Sequence, residues 1–236
     1  MRYLIGETNW KMVTLSKAVA DSGVLRTRCE DGEELADFHG MGQHDLLVID
    51  SAQLGRAVSL ADLRAQRPGI PICVVASAPA PERIAQWLMV GADTVIEDTA
   101  PLPEALAQLS AVARRAHGVA QPVIERGPLL LDLEQRRAHL GEVTLSLSPK
   151  LYEILEFLVL RSGRLAAREA LLSHVYGFED EPAPRVFDVY MCNLRAHLQS
   201  VGHALKIETV RGSGYRLEVT ERRRGARPLA ACSRAA

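Results

Sequence analysis

No apolar run in this chain approaches the roughly 18 residues that a membrane-spanning helix needs, which excludes a helical membrane protein. The N-terminal stretch MRYLIGETNWKM lacks the charged-then-apolar pattern of a secretory signal, and acidic residues begin at Glu7. A cytoplasmic location with no membrane partner is therefore expected. The four cysteines, Cys29, Cys73, Cys192 and Cys232, are scattered, with no CxxC pair and no histidine at ligand spacing. That pattern fits reduced thiols better than a metal site or a disulfide framework. No GxxxxGK loop and no nucleophile–base spacing occurs, so an enzyme is not expected. No internal repeat is evident.

What is present is an ordinary globular composition, 47% apolar and 24% charged, over 236 residues. Such a length accommodates two domains, each with its own core. The net charge of −1 hides an asymmetry. Residues 1–118 carry 11 basic and 15 acidic side chains, and residues 119–236 carry 17 and 14. The second half is the better partner for a polyanion, although charge alone does not identify one.

The N-terminal half alternates short apolar strands with helical stretches. Strands are predicted at Tyr3–Ile5, Leu25–Thr27, Asp45–Ile49, Ile72–Val75 and Thr94–Ile96. Helices are predicted near 11–21, 31–39, 59–66, 81–89 and 103–116. Strands alternating with helices imply right-handed crossovers, and five such units make a doubly wound parallel sheet. Its ligand site would lie at the C-terminal strand ends. The fold class is α/β: a five-stranded parallel-sheet domain over 1–117, a linker over 118–125 marked by Gly118 and Pro122, and an α+β domain over 126–220. The tail 221–236 reads as basic and disordered.

In the second half, Ser148 is placed to cap a helix that starts at Pro149, with Leu151, Leu155, Leu158 and Val159 as its buried stripe. The segment RVFDVYMCNLRAHL, Arg185 to Leu198, is an amphipathic helix: Phe187, Met191, Leu194 and Leu198 share one stripe, while Arg185, Val189, Cys192 and Ala196 face away. Tyr190 lies about 60° from the buried stripe, so packing and outward contact both stay open there. A hairpin follows, IETV then YRLEV, turning through Arg211-Gly212-Ser213-Gly214. A small-residue helix face beside a basic, glycine-tipped hairpin suggests a winged helix, with the helix in the major groove and the wing along phosphates or in the minor groove.

These residues resemble the effector domain of the OmpR/PhoB family of two-component response regulators. The resemblance covers about residues 127–219. It rests on Ser148-Pro149-Lys150, Tyr176-Gly177, Asp188-Val189, Leu194-Arg195 and Val210-Arg211-Gly212-Ser213-Gly214-Tyr215-Arg216. Within the family, the segment DEPAPRVFDVYMCNLRAHL looks most like a cell-cycle regulator. The resemblance implies double-stranded promoter DNA as partner. It places DNA contacts on Arg185, Tyr190, Cys192, Asn193 and Arg195 of the helix and on Thr209, Arg211 and Tyr215 of the hairpin. By residue type, Arg185 and Arg195 suit phosphates or guanine edges, Asn193 suits adenine, and Val189, Cys192 and Ala196 suit thymine methyls. The family usually has basic residues at Cys192 and Asn193, so a shallow salt dependence is expected. Asp188 is expected to orient Arg195 or a helix cap. The acidic run Glu179-Asp180-Glu181 reads as a solvated loop, while the resemblance implies RNA polymerase contact there, together with His174 to Phe178.

The same resemblance makes the first domain a receiver. Asp50, closing the strand DLLVID, stands at the phosphoacceptor position, and Glu7 is the first of the acidic pair. Thr8 stands where the family has a metal-ligating aspartate, Ala76 (with Ser77 next to it) where it has a hydroxyl, and Asp98 where it has a lysine. A hard cation wants oxygen ligands, and a transferred phosphoryl group wants its charge neutralised. These departures predict a pseudo-receiver with poor Mg²⁺ affinity, no cofactor and inefficient aspartyl phosphorylation. The family's pairing face maps to Asp93, Glu104 and Arg115, with Ile84 and Thr94 as departures and Trp87 and Met89 adding apolar character; a homodimer is expected. The favoured function is a phosphorylation-independent transcription regulator. Two alternatives are a conventional regulator phosphorylated on Asp50 and an interaction protein that binds a kinase or phosphotransferase.

Overall fold

A computed structural model describes residues 1–177, 184–199 and 205–219, with the backbone alone at Pro184 and Arg185. The acidic run 179–181 and the tail 221–236 lie outside the described residues.

The N-terminal domain alternates β1 (Arg2–Gly6), α1 (Trp10–Asp21), β2 (Leu25–Cys29), α2 (Gly32–Met41), β3 (Leu46–Asp50), α3 (Leu60–Gln66), β4 (Ile72–Ala76), α4 (Pro81–Val90), β5 (Thr94–Glu97) and α5 (Leu102–Ala116). All five strands are parallel, in the order β2-β1-β3-β4-β5. The central strand β3 is buried on both faces because helices cover both, which is why its sequence LLVI is apolar without alternation. Local signals set the helix starts. The Asn9 side chain accepts from the Lys11 and Met12 amides, Asp31 from Glu34 and Ser59 from Asp62, each satisfying orphan donors of a first turn.

The C-terminal part opens with a four-stranded antiparallel sheet, β6 (Val123–Arg126), β7 (Leu129–Asp132), β8 (Arg137–Leu140) and β9 (Val143–Thr144). The linker expected over 118–125 is therefore shorter. Its end is a strand, because Ile124 pairs with Leu131 and is buried. Next come α6 (Pro149–Leu160), β10 (Ala166–Ala167), α7 (Arg168–Tyr176), α8 (Pro184–Gln199), β11 (Leu205–Val210) and β12 (Gly214–Val219). Strands β10, β12 and β11 form a second antiparallel sheet. Helix α6 is buried all round from Leu151 to Leu160, Glu153 and Glu156 included, and not along one stripe. A helix apolar on every side lies between layers, and here a single apolar cluster runs from Tyr3 and Ile5 of the first domain to Phe157 and Leu158 of α6.

Gly214 is dictated by a close approach. It has φ +147°, and a Cβ there would lie 2.0 Å from the Ala166 carbonyl oxygen of β10. The hairpin can rest against β10 only with glycine where β12 leaves the turn.

Candidate nucleic-acid interface and receiver pocket

Helix α8 turns Phe187, Met191, Leu194 and Leu198 inward, each at most 2% exposed, as its periodicity requires. Outward it presents Asp188, Val189, Cys192, Asn193 and Ala196. Val189 is 56% exposed, a β-branched apolar side chain facing water. The described part of this outer face carries no lysine or arginine; the side chain of Arg185 lies outside the described residues. Tyr190 leans inward. Its ring meets Phe187 edge-on at 6.2 Å, and its hydroxyl lies 3.2 Å from that of Tyr176.

The hairpin is tied to α8 by Arg195. Its Nε donates to the Ile207 carbonyl at 3.0 Å and its Nη2 to Thr209 Oγ1 at 2.6 Å. One planar fork thus fixes helix and wing relative to each other. Thr209 itself is exposed, and Arg211 stands exposed at the tip, in the turn closed by Ser213 N–H on the Val210 carbonyl. Tyr215 is buried at 5% exposure and donates its hydroxyl to Asp188 at 3.2 Å. Burial and the neighbouring Asp188 carboxylate raise its pKa, so it stays a phenol and a donor. Asp188 also pairs with Arg168 at 3.4 Å. The expectation that Asp188 orients Arg195 is corrected: Asp188 serves Tyr215 and Arg168, while Arg195 is held by β11.

At the C-terminal ends of the parallel strands, Asp50 lines a cavity of about 240 Å³ together with Asn9, Lys11, Ser77 and Asp98. The Asp50 carboxylate accepts from Thr8 Oγ1 at 3.3 Å, Asn9 Nδ2 at 2.5 Å and the Ala52 amide at 2.9 Å. Asp98 meets Lys11 Nζ at 2.7 Å. Glu7 is turned to Arg26 at 3.1 Å and Ser16 at 2.5 Å and does not line the cavity. Ala76 is buried, and Ser77 beside it is exposed. Asn9 and Lys11 were missed in the sequence. The usable signal was the capping pattern at Asn9, which fixes where the first turn of α1 points.

Residues 141–217 match the family described as transcriptional regulatory protein, C terminal. The cell cycle response regulator CtrA of Brucella ovis is 33% identical over 187 residues, 78% of this chain and 81% of that protein. The chain belongs to the OmpR/PhoB-type response regulators. Among solved structures, the response regulator DrrB of Thermotoga maritima, described as an OmpR/PhoB homolog, is 20% identical with TM-score 0.42, over 92% of this chain and 98% of that one. The RstA DNA-binding domain of Klebsiella pneumoniae, solved in complex with the RstA box, is 30% identical with TM-score 0.37, over 42% of this chain and 98% of that domain.

In this response regulator, the residues expected on a pairing face are placed unevenly. Trp87 is buried at 9% exposure, beneath Arg83 at 5.4 Å, and so belongs to the core. Met89 is 88% exposed, between Leu88 and Val90 at 44% each. Asp93 is engaged within the chain, accepting from Arg64 at 2.5 Å and the Ile72 amide at 2.8 Å. Glu104 accepts from Gln108, and Arg115 is exposed. Ile84 and Thr94 are half-buried. Cys29 and Cys73 are buried free thiols whose pKa burial pushes up, and Cys192 is exposed; Cys232 lies outside the described residues. Among the described residues no helix is long and apolar enough to cross a membrane.

Proposed function

We propose that this response regulator is a cytoplasmic, homodimeric transcription regulator that reads promoter DNA with α8 and its wing without needing phosphorylation of Asp50. The observation that carries the reading is the charge layout of the receiver pocket. A carboxylate, Asp98, stands where the resemblance calls for a lysine, and the nearby cation, Lys11, comes from α1 and is already paired with it. A phosphoryl group on Asp50 would add negative charge next to Asp98, and among the described residues lining the cavity the one cation, Lys11, is already paired.

The donors do not fit Mg²⁺ either. Glu7 is committed to Arg26 and Ser16, Thr8 offers a hydroxyl, and among the described residues no three of His, Cys, Asp and Glu converge. A divalent cation would find Asp50 and an Asp98 already paired with Lys11, where hard cations gather six or more oxygens. Meanwhile the hydrogen bonds of Thr8 and Asn9 hold Asp50 in place without metal or phosphate. Intact mass after incubation with a small phosphodonor and Mg²⁺ tests this. The unmodified mass is expected, and stoichiometric phosphorylation of Asp50 overturns it. A conventional phosphorylated regulator is the second reading, favoured by the position of Asp50 on an open cavity at the strand ends.

On the DNA side, Asn193 reads base edges, Val189, Cys192 and Ala196 meet methyl groups, and Arg211 meets phosphate. Dimers form through the face that exposes Leu88, Met89 and Val90. RNA polymerase is a further partner, through the segment that begins at α7 and continues outside the described residues.

A further inference from the structure

The end of the parallel sheet opposite Asp50 holds a second carboxylate with no part in the pocket. Asp45 immediately precedes β3 and is 1% exposed. It lies five residues before Asp50, ~16 Å away along the strand. Its partners come from both domains. From its own domain, the Arg2 amide donates to Oδ2 at 2.8 Å, and His117 Nε2 approaches Oδ1 at 2.8 Å. From the effector domain, Arg161 at the end of α6 donates Nη2 to Oδ1 at 2.9 Å, and His174 Nδ1 of α7 lies 3.8 Å from Oδ2.

Arg2 bridges in the reverse direction. While its amide binds Asp45, its Nε donates to the His174 carbonyl at 2.5 Å, and Nη1 reaches the Arg26 carbonyl and Thr27 Oγ1. Gly177, at φ +71°, leaves room for this, since a Cβ there would come 2.9 Å from Arg2 Nη1. The Arg161 guanidinium lies 3.8 Å over the Phe157 ring, and Phe157 packs on His174 at 4.6 Å. Burial opposes the charged form of Asp45, but the His117 hydrogen bond and the Arg161 guanidinium outweigh it and hold the carboxyl well below its usual range, while burial keeps His174 itself neutral. The interface therefore contains a paired charge with directional hydrogen bonds from both sides. Apolar contact alone would let the two surfaces slide, whereas removing one partner of a buried charge is strongly unfavourable.

In the same arrangement the outer face of α8 and the wing residue Arg211 stay exposed. The effector domain is gripped by α6 and α7, not by the elements that meet DNA. We propose that Asp45, Arg2 and Arg161 form a latch that fixes the effector domain on the receiver domain in a DNA-competent orientation, so that no release step precedes binding. The latch stands on the geometry of the interface; its DNA half rests on the transcription reading above.

Hydrogen–deuterium exchange on the full-length chain tests it with Arg161→Gln, which alters only the effector side, and with Asp45→Asn, which keeps the shape and removes the charge. Both variants are expected to speed exchange by about tenfold or more around residues 2–5, 45–47 and 173–177, leaving the wing strands unchanged. Affinity is then measured for a duplex recovered by footprinting with the wild-type protein, and is expected to stay level or fall. Unchanged exchange in Arg161→Gln overturns the latch. Affinity that rises about tenfold in the unlatched variants overturns the DNA-competent orientation and makes the docked form inhibitory. A wild-type chain that binds no duplex removes the DNA half, while the exchange result still decides the latch.

Discussion

Lys11, in the first turn of α1, reaches Asp98 beyond the end of β5 across 2.7 Å. This pair links two elements that flank Asp50 and gives the pocket an internal counter-ion. Lys11 is 30% exposed and Asp98 14%, so water screens the pair and its contribution is modest, ~1 kcal/mol or less. Lys11→Met should lower the melting temperature by about 2–4 °C at most, measured by calorimetry. A much larger drop would mean that Lys11 carries packing that the ion pair does not account for.

Arg195 is the joint between recognition helix and wing. Arg195→Ala removes the bonds to the Ile207 carbonyl and Thr209. The expected cost is about 1–3 kcal/mol in stability, with weaker DNA binding as the wing loses its registration. Arg195→Lys should rescue little, because one ammonium cannot make both bonds of a planar fork. Urea unfolding and a binding isotherm on each variant check this; full rescue by lysine contradicts it.

Arg211 and Asn193 should separate by kind of effect. Arg211→Ala is expected to weaken binding to all sequences alike and to reduce the salt slope by about 1. Asn193→Ala should instead relax the preference at one base pair, by ~1–3 kcal/mol. Affinities on a panel of single-base variants at several salt concentrations distinguish the two patterns.

Acid sensitivity follows from a buried histidine pair. His39 Nε2–H donates to the Leu63 carbonyl, which leaves Nδ1 to accept from His44 at 2.8 Å. Protonating His39 sets N–H against N–H, and protonating His44 places a charge on a buried ring near Arg67. Burial first, then neighbouring positive charge, lowers His39 to about 4 and His44 to about 3. With the folded values depressed, the unfolded chain binds more protons below about pH 6.5. Stability is therefore fully present above that pH and falls as the pH drops toward 4. Urea midpoints between pH 7 and 4.5 should decline, and less so in His44→Gln; a flat profile contradicts the assignment.

The alternation of strands and helices was legible because each element of the first domain carries its own period, and the described boundaries fall within a residue or two of those expected. The stripe of α8 was equally plain, since Phe187, Met191, Leu194 and Leu198 need only the pitch of a helix. Helix α6 was not. Its stripe of four became a helix buried throughout, because the antiparallel sheet and its turn cover Tyr152 and Glu153 while the first domain covers Glu156 and Arg161, and no local pattern encodes that. Asp45 and Arg161 were invisible for the same reason, being 116 residues apart. Lys11 escaped because the position expected to supply a cation is Asp98, while the cation comes from a different element. Tyr215 matched the wing signature, but its burial depends on packing against Asp188 and Phe187 that spacing does not reveal.

In the proposed reading, DNA binding does not wait for phosphorylation. Footprinting of the purified, unphosphorylated full-length protein on genome fragments, with and without pretreatment by a small phosphodonor and Mg²⁺, tests it most directly. Discrete protected sites are expected at the same protein concentration in both arms. Protection that appears only after pretreatment, together with a phosphoryl group on Asp50, would contradict it.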